Sequence, residues 1–383
     1  YQLDITQSFP ITLTSQNNFA GSGAAGYADG VGTAATFTLV FGMTIDSSQI
    51  MYVTDYGNNS IRKIVISTKL VTTIAGSATG IAGNTIPYPL TNTVETNSGT
   101  DARFNKPTGI VADNLGNLFV CDSKNFAIRR IILTTNDIIT ISGKEDGGYE
   151  DGDIIEDARY NQLYGIIINA GKTNLFACDL NKIRQIGYDI NAITGNSATE
   201  INAATAAEAA SRYAVTLLEA SPSRPIIMNC TVDSNHKIFL ISATGIIFKY
   251  DPFTLILSTF NTLPSGKGYG LTIDSADNLY ATDEISTVYK ITSNGDRTIV
   301  KTGLTIPRAI TMSAYQLELY VSVTGSIVRI TISDGATEVI AGSSTTGTID
   351  GVGSNAQLDS IISGITLRND VLYFSEFNNQ TIR

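Results

Sequence analysis

The chain is dominated by short apolar runs separated by turns rich in Gly, Asn, Asp and Ser. One run recurs with a fixed pattern: an aromatic residue, an apolar residue, a small Thr, Cys or Ser, and an acid. The clear copies are Tyr52–Asp55, Phe119–Asp122, Phe176–Asp179, Tyr280–Asp283 and Tyr373–Glu376, and the weaker copies are Phe239–Ser242 and Tyr320–Val323. Seven copies of one phrase predict seven structural repeats.

Each phrase lies within a set of short predicted strands. In the second repeat an apolar run at Gly109–Asp113 precedes the phrase, and the tight turn Asn114–Asn117 joins the two. A third run follows at Ile128–Ile131 and a fourth at Ile138–Gly143. Short runs joined by such turns are typical of antiparallel hairpins. Four strands per repeat, arranged radially, predict an all-β fold: a seven-bladed β-propeller of four-stranded antiparallel blades.

Further motifs accompany the phrase in a set order. In the first repeat they are Asp29-Gly30-Val31-Gly32, Ala35, Phe37, Gly42, Asn59, Ile61-Arg62 and Ile74-Ala75-Gly76, and repeats two, three and seven keep much of this order. In these residues the chain resembles the NHL-repeat family of β-propellers. The resemblance implies one NHL-like propeller domain over residues 1–383, and it weakens between about Tyr188 and Leu319.

The ends and one insertion lead to three expectations about how the ring is completed. We expect residues 10–21 to supply the outer strand of blade seven and so close the ring. The chain stops inside the third strand of that blade, at Thr381–Arg383, which indicates a fragment of a longer chain with flanking domains. The Ala-rich stretch 199–213 has high helix propensity and predicts a short helix inserted between blades three and four.

Composition and charge exclude two classes of partner. The chain has 25 basic and 35 acidic residues and a net charge of −10, whereas nucleic-acid affinity depends mainly on Lys and Arg. No apolar run approaches the roughly 18 residues needed to span a bilayer. We therefore expect neither nucleic-acid binding nor membrane insertion.

Acids at the end of the second strand occur together with an Arg that opens the third. The pairs are Asp55 with Arg62, Asp122 with Arg129, Asp179 with Arg184, and Glu376 with Arg383. Repeats four and six lack both members, and repeat five keeps Asp283 without the Arg. Joint presence and joint loss predict structural ion pairs, because the planar guanidinium matches a carboxylate. The alternative is that the acids form a catalytic set.

An acidic loop offers the best candidate for a cation site. Residues 145–157 contain seven acids, and Asp146, Glu150, Asp151 and Asp153 are the candidate Ca²⁺ ligands, since Ca²⁺ prefers carboxylate oxygens. The spacing does not match an EF-hand. The competing interpretation is a solvated acidic loop with no ion. Apart from this candidate, no cofactor is predicted.

Residues for common catalytic centres are scarce. His236 is the single histidine. The three cysteines Cys121, Cys178 and Cys230 do not have the spacing of zinc ligands, so we predict that they are small buried apolar residues. No Gly-x-Ser-x-Gly elbow indicates a nucleophilic serine. Within the resemblance, this departs from NHL-like lyases with histidine-rich metal centres. A lyase or lactonase using a divalent metal in the central channel stays open as the alternative function.

Two N-glycosylation sequons lie on equivalent hairpins of blades one and seven, at Asn58 and Asn379. Together with the low charge they favour an extracellular or cell-surface protein. The leading functional hypothesis is a non-catalytic interaction module that binds a protein or a glycan through a rim or a channel mouth.

Overall fold

The fold is described from a computed structural model of the chain. The description covers residues 18–76, 82–83, 99, 101–144, 146–151, 157–168, 174–180, 182–187, 214–216, 227–235, 237–251, 254, 256–349, 351, 353–368 and 371–383. Within them the chain forms seven small antiparallel sheets and three 3-10 helices, at Gly32–Ala34, Ser123–Asn125 and Gly353–Asn355. The predicted seven-bladed β-propeller is confirmed.

The blades follow one another in chain order. Blade one contains β1 (Gly30–Val31), β2 (Val40–Ile45), β3 (Ile50–Asp55), β4 (Ser60–Val65) and β5 (Leu70–Ala75). Blade two contains β6 (Pro107–Ala112), β7 (Asn117–Asp122), β8 (Ala127–Ile132) and β9 (Asp137–Gly143). Blade three contains β10 (Leu163–Ile168), β11 (Asn174–Asp179), β12 (Lys182–Gly187) and β13 (Ala214–Thr216). Blade four contains β14 (Ile227–Val232), β15 (Ile238–Ser242), β16 (Ile246–Asp251) and β17 (Ile256–Thr262).

The remaining three blades repeat this order. Blade five contains β18 (Leu271–Ile273), β19 (Leu279–Thr282), β20 (Val288–Ile291) and β21 (Arg297–Lys301). Blade six contains β22 (Ile310–Met312), β23 (Glu318–Val323), β24 (Ser326–Thr331) and β25 (Thr337–Gly342). Blade seven contains β26 (Ile362–Arg368), β27 (Val371–Glu376) and β28 (Thr381–Ile382). The innermost strands of the seven blades are β2, β6, β10, β14, β18, β22 and β26. Each contacts the innermost strand of the next blade, and β26 contacts β2, which closes the ring.

The N-terminal segment reaches blade seven as expected. Ala20 forms an antiparallel bridge with Ile382 on β28, and the amides of Phe19 and Ala20 both donate to the Ile382 carbonyl. This pairing covers the outer edge of the third strand and joins the two ends of the chain. Residues 10–17 of the predicted closing strand lie outside the described residues.

The insertion has a different place from the one predicted. Ala214–Thr216 pairs antiparallel with β12, with Val215 opposite Gln185, and forms the fourth strand of blade three. The Ala-rich stretch 199–213, which lies outside the described residues, is therefore inserted within blade three and not between blades three and four. An uncovered β12 would leave a row of backbone groups unpaired, and the apolar segment after the insertion satisfies them.

The hydrophobic core is divided among the blade interfaces. Seven buried apolar clusters each contain residues from two neighbouring blades. Alternate residues of one strand serve opposite interfaces: Tyr52 packs towards blade two and Val53 towards blade seven. Because strand side chains alternate between faces and both faces are buried, the strands are apolar throughout. This explains the low fraction of charged residues.

Small polar side chains connect neighbouring blades at several interfaces. Thr54 Oγ1 accepts from the Gly42 amide at 2.8 Å and donates to the Thr108 carbonyl of blade two at 2.7 Å. Thr282 makes the same two contacts in blade five, with the Gly270 amide at 2.8 Å and the Arg308 carbonyl at 2.7 Å. The third position of the repeated phrase therefore links neighbouring innermost strands, which accounts for its small polar residues.

Candidate functional site

The acid and Arg of the repeated phrase meet in the interior of blade one. The Arg62 side chain is fully buried, and its guanidinium lies 2.9 Å from Asp55 Oδ2 and 2.8 Å from Asp29 Oδ1. It also donates to the carbonyls of Thr36 and Ala28, each at 2.9 Å. One side chain thus satisfies four acceptors and holds the Asp-Gly loop against the blade.

Two other blades contain the same arrangement. Arg184 lies 3.4 Å from Asp179 and 3.1 Å from Asp151, the acid of its own Asp-Gly motif. Arg383 Nε lies 2.6 Å from Glu376 Oε2 in blade seven. In blade two, Asp122 and Arg129 are both fully buried, and Asp122 accepts from the Asn105 amide at 2.7 Å and from Asn125 Nδ2 at 2.8 Å.

The aromatic residue of the interblade motif packs against this Arg. The Arg guanidinium lies 5.0 Å from the ring centroid of Phe37 in blade one, 5.6 Å from that of Phe104 in blade two and 4.8 Å from that of Tyr160 in blade three. Such contacts add to the Coulomb attraction where the cation is desolvated. Most of the repeated motif therefore forms one buried structural cluster in each of blades one, two and three.

Burial is the largest influence on the pKa values of Asp55, Asp179 and Glu376. It raises the pKa of Asp55 to about 6, although Thr38, Asn58 and Arg62 all favour the carboxylate. Burial also raises the pKa of Asp179 and of Glu376. Each group therefore takes up its proton at a higher pH in the folded chain than in the unfolded chain.

This predicts that the protein is more stable at pH 5 than at pH 7.5. Stability that comes from a raised carboxyl pKa is present at low pH and is lost as the pH rises through the folded value. For Asp55 alone the gain on going from pH 7.5 to pH 5 is about 1 kcal/mol. Urea unfolding at the two pH values measures it, and Asp55→Asn should reduce the difference. Equal or greater stability at pH 7.5 would contradict the prediction.

The asparagines of both sequons donate hydrogen bonds to the buried acids of the repeated phrase. Asn58 Nδ2 donates to the Gly26 carbonyl at 2.6 Å and to Asp55 Oδ2 at 2.8 Å. Asn379 Nδ2 donates to the Gly347 carbonyl at 2.6 Å and to Glu376 Oε1 at 3.2 Å. A glycan would be attached to this nitrogen and would replace one of its two hydrogens. The geometry therefore counts against glycosylation at either position in the folded chain.

We predict that Asn58→Ala lowers the free energy of unfolding by about 1–3 kcal/mol, because the partly buried Gly26 carbonyl loses this donor and the buried Asp55 carboxylate loses one of its donors. Ser60→Ala is the matched control: it destroys the same sequon, and the buried Ser60 hydroxyl has no hydrogen-bond partner. It should change stability by less than about 1 kcal/mol. Chemical denaturation of both variants, made in a glycosylating host, distinguishes a hydrogen-bonding role of Asn58 from a role as a glycan attachment site. Equal losses of stability in the two variants would indicate that a glycan contributes.

Three described acids of the 145–157 loop, Asp146, Glu150 and Asp151, pair with Arg side chains. Asp146 and Glu150 both pair with Arg159, the latter at 2.8 Å from Arg159 Nε. Asp151 pairs with Arg184, and Asp153 lies outside the described residues. Across the described ranges, no three His, Cys, Asp or Glu side chains form a group suited to a metal ion. The Ca²⁺ site stays a prediction.

A ring of equivalent residues surrounds one end of the central channel. Each comes directly before the position equivalent to Gly42, at or just before the start of the innermost strand of its blade. The ring residues are Phe41, Thr108, Tyr164, Met228, Tyr269, Arg308 and Ser363. Their carbonyls face the preceding blade: a Cβ on Gly42 would meet the Thr108 carbonyl, and one on Gly270 the Arg308 carbonyl. We call these seven residues the mouth ring.

Large apolar side chains of the mouth ring remain partly accessible. Phe41, Tyr164 and Tyr269 are half-buried, and Met228 is 36% exposed. Phe41 stacks on Tyr56 at a centroid distance of 6.0 Å. The mouth ring was missed in the sequence because its members share a position and no residue type. Alignment of the innermost strands on their glycines would have revealed it.

Cations lie beside these aromatic rings. Lys106 Nζ is 4.9 Å from the centroid of Tyr56, and the Arg308 guanidinium is 5.9 Å from that of Tyr269. Arg308 also pairs with Glu284 at 3.1 Å.

His236, in the turn between β14 and β15, lies outside the described residues. Among the described residues, no helix is long and apolar enough to cross a membrane.

Comparison with known proteins shows where the resemblance is strongest. The family model for the NHL repeat matches residues 104–131, which lie in blade two. NHL repeat-containing protein 2 of Bos taurus is 35% identical over 117 residues, which are 30% of this chain and 15% of that protein. Its Homo sapiens counterpart is 33% identical over 114 residues, or 29% and 14%. The match thus spans less than a sixth of either relative.

Solved structures share the fold at low identity. A catalytically inactive histidine-to-alanine variant of virginiamycin B lyase from Staphylococcus aureus, solved with quinupristin, has a TM-score of 0.60 and 15% identity, covering 90% of this chain and 94% of that one. The extracellular domain of a hybrid two-component system from B. thetaiotaomicron has a TM-score of 0.60 and 10% identity, covering 91% and 40%. The chain is therefore a seven-bladed β-propeller whose second blade matches the NHL repeat.

Proposed function

We propose that this propeller is a non-catalytic binding module that engages a protein or glycan partner at the channel mouth. The observation that carries the proposal is the mouth ring, in which Phe41, Tyr164, Met228 and Tyr269 hold large apolar side chains partly accessible on a rigid frame. Aromatic and Met side chains are enriched at the centres of protein interfaces. Loss of side-chain freedom on binding is small, because the strands already hold these residues in place.

The surroundings of the ring support the same proposal. Lys106, beside Tyr56, and the ring member Arg308 provide cationic groups. Ile285 and Ile306, which are 45% and 39% exposed, extend the apolar surface over blades five and six. An apolar centre with a polar, charged rim is the usual anatomy of a binding surface. The buried acids, by contrast, are held by Arg and by backbone amides, as structural groups are.

We also propose an extracellular or cell-surface location. It is supported by the low content of charged residues and by the fold shared with the extracellular domain of a bacterial two-component system. Localisation of the full-length protein by surface biotinylation tests this part separately from binding. Exclusive recovery from the cytosol would contradict it.

Ligand selection, followed by binding measurements on a mouth variant and a control variant, tests the proposed binding module. Wild-type protein selects ligands from a peptide-display library and from a glycan array. The mouth variant Tyr164→Ala/Met228→Ala/Tyr269→Ala should bind them at least about tenfold more weakly. The control Tyr315→Ala/Leu317→Ala removes two exposed apolar side chains from the turn between β22 and β23, at the opposite face, and should bind within about twofold of wild type.

Two outcomes would overturn the proposal. One is equal binding by wild type and the mouth variant, which would place the partner elsewhere, for example on a rim. The other is turnover: incubation with quinupristin, followed by liquid chromatography, should leave the compound unchanged. Its conversion by wild type, with loss of conversion in the mouth variant, would establish a lyase-type enzyme instead.

A further inference from the structure

The three cysteines lie on three successive blades. Cys121 in β7 and Cys178 in β11 occupy the third position of the repeated phrase and are buried, whereas Cys230 in β14 is partly exposed. All three are free thiols. The sequence predicts that all three are small buried apolar residues, but in the structure their neighbours differ.

The repeat shows what the third phrase position contacts. A Cβ placed on Gly270 would lie 2.9 Å from Thr282 Oγ1 and 2.9 Å from Ile310 Cγ2 of the next blade. In blade one, a Cβ on Gly42 would lie 3.3 Å from Thr54 Oγ1 and 3.4 Å from Ile110 Cγ2. In blades one and five, the third phrase residue and the second residue of the next blade's Gly-Ile pair, or its equivalent, therefore lie on the same side of this glycine position.

At the interface of blades three and four both of these positions are cysteines. Cys178 is buried in the apolar cluster of this interface and Cys230 packs against the same cluster, and the Cys230 thiol is the first cause of the raised pKa of the Cys178 thiol. Cys121 makes a different contact, because its Sγ lies 3.7 Å from the Gly165 carbonyl oxygen. The chain thus supplies one cross-blade thiol pair and one buried cysteine that serves as an internal control.

We propose that Cys178 and Cys230 form a disulfide between blades three and four when the protein meets a small-molecule disulfide such as oxidised glutathione. The Cys230 thiolate attacks one sulfur of the oxidant, forms a mixed disulfide and releases one glutathione thiolate. The Cys178 thiolate then attacks the Cys230 sulfur and releases the second glutathione. Two protein thiols are oxidised, one oxidant molecule is reduced to two thiols, and the two protons pass to those thiolates.

The order of the two steps follows from accessibility. Cys230 is the more exposed thiol and meets the oxidant first. The hydrogen bond with Cys230, and then burial, raise the pKa of the Cys178 thiol well above its usual range. Because the thiolate is the nucleophile, the second step should be slower, and glutathionylated Cys230 should appear transiently.

Thiol counting tests the proposal. Protein is incubated with oxidised glutathione, quenched with acid, unfolded and alkylated, and the free thiols are counted by mass spectrometry. Wild type should fall from three free thiols to one, with Cys178 and Cys230 joined in the peptide map. Cys121→Ser should fall from two to none, whereas Cys178→Ser should not form an internal disulfide.

The variants are expected to fold, because other blades carry Ser322 and Ser375 at the third phrase position. As a second readout, the disulfide closes a loop of about 50 residues and should raise the thermal midpoint of wild type and of Cys121→Ser by roughly 5 °C, reversibly with dithiothreitol. Three persistent free thiols after oxidation, or a link involving Cys121, would overturn the proposal.

Discussion

Replacing Arg62 by Met is expected to lower the free energy of unfolding by about 3–5 kcal/mol. The guanidinium is fully buried and satisfies Asp55, Asp29 and the carbonyls of Ala28 and Thr36. Met fills similar volume but donates no hydrogen bond, so a buried carboxylate and two carbonyls lose their partner. Urea denaturation followed by circular dichroism measures the loss.

The pH provides a second readout for this variant. Without Arg62 the Asp55 carboxylate loses its counter-charge, so the loss of stability should shrink when the pH is lowered to 5 and the carboxyl takes up a proton. The matched control is Arg329→Met, which removes a partly exposed Arg paired with Glu318 and Glu338. It should change stability by no more than about 1 kcal/mol. Equal losses in the two variants would contradict the structural role of Arg62.

Replacing Gly270 by Ala is expected to destabilise the ring by about 3 kcal/mol or more. The new Cβ would lie 2.3 Å from the Arg308 carbonyl oxygen and 2.9 Å from Thr282 Oγ1. The Arg308 carbonyl belongs to the contact between blades five and six, and Thr282 Oγ1 donates to it. Because that contact involves backbone on both sides, relief requires the two blades to move apart. Thermal unfolding and urea denaturation measure the effect.

Gly165→Ala is the control at the same position of blade three. There the nearest atom to the new Cβ is Cys178 Sγ at 3.8 Å, an ordinary van der Waals distance. Neither Gly165 nor Gly270 has a positive φ, so the two variants differ in crowding and not in backbone strain. Gly165→Ala should change stability by less than about 1 kcal/mol. A similarly small effect at Gly270 would show that the blades are less closely packed than the structure indicates.

The buried Arg clusters explain why the repeat is recognisable while the function is not. Arg62 contacts the phrase acid Asp55, the acid of the Asp-Gly motif at Asp29 and the motif aromatic Phe37. The residues that define the repeat are therefore the ones that hold each blade together. Residues free to contact a partner, such as Phe41 and Met228, vary from blade to blade at a shared position.

Much of the fold could be predicted from the sequence because its causes are local and repeated. The phrase Tyr52–Asp55, the turns around it and the runs after it specify one hairpin set, and seven copies leave a closed ring as the arrangement that buries every face. Asp55 and Arg62 could be matched because both were lost together in blades four and six. The partner of Ile382 could be predicted from the ending of the N-terminal segment, Phe19-Ala20-Gly21, which is similar to Ile74-Ala75-Gly76.

Contacts between blades were decided only by the tertiary structure. The sequence could not show that the Ala-rich stretch falls inside blade three, because strand pairing by Ala214–Thr216 depends on the free edge of β12. It could not show that Asn58 is held by Gly26 and Asp55, nor that Cys178 and Cys230 pack in the same interblade cluster. Local pattern determines which residues form a strand and which face they share, whereas the closure of the ring determines which side chains of different blades meet.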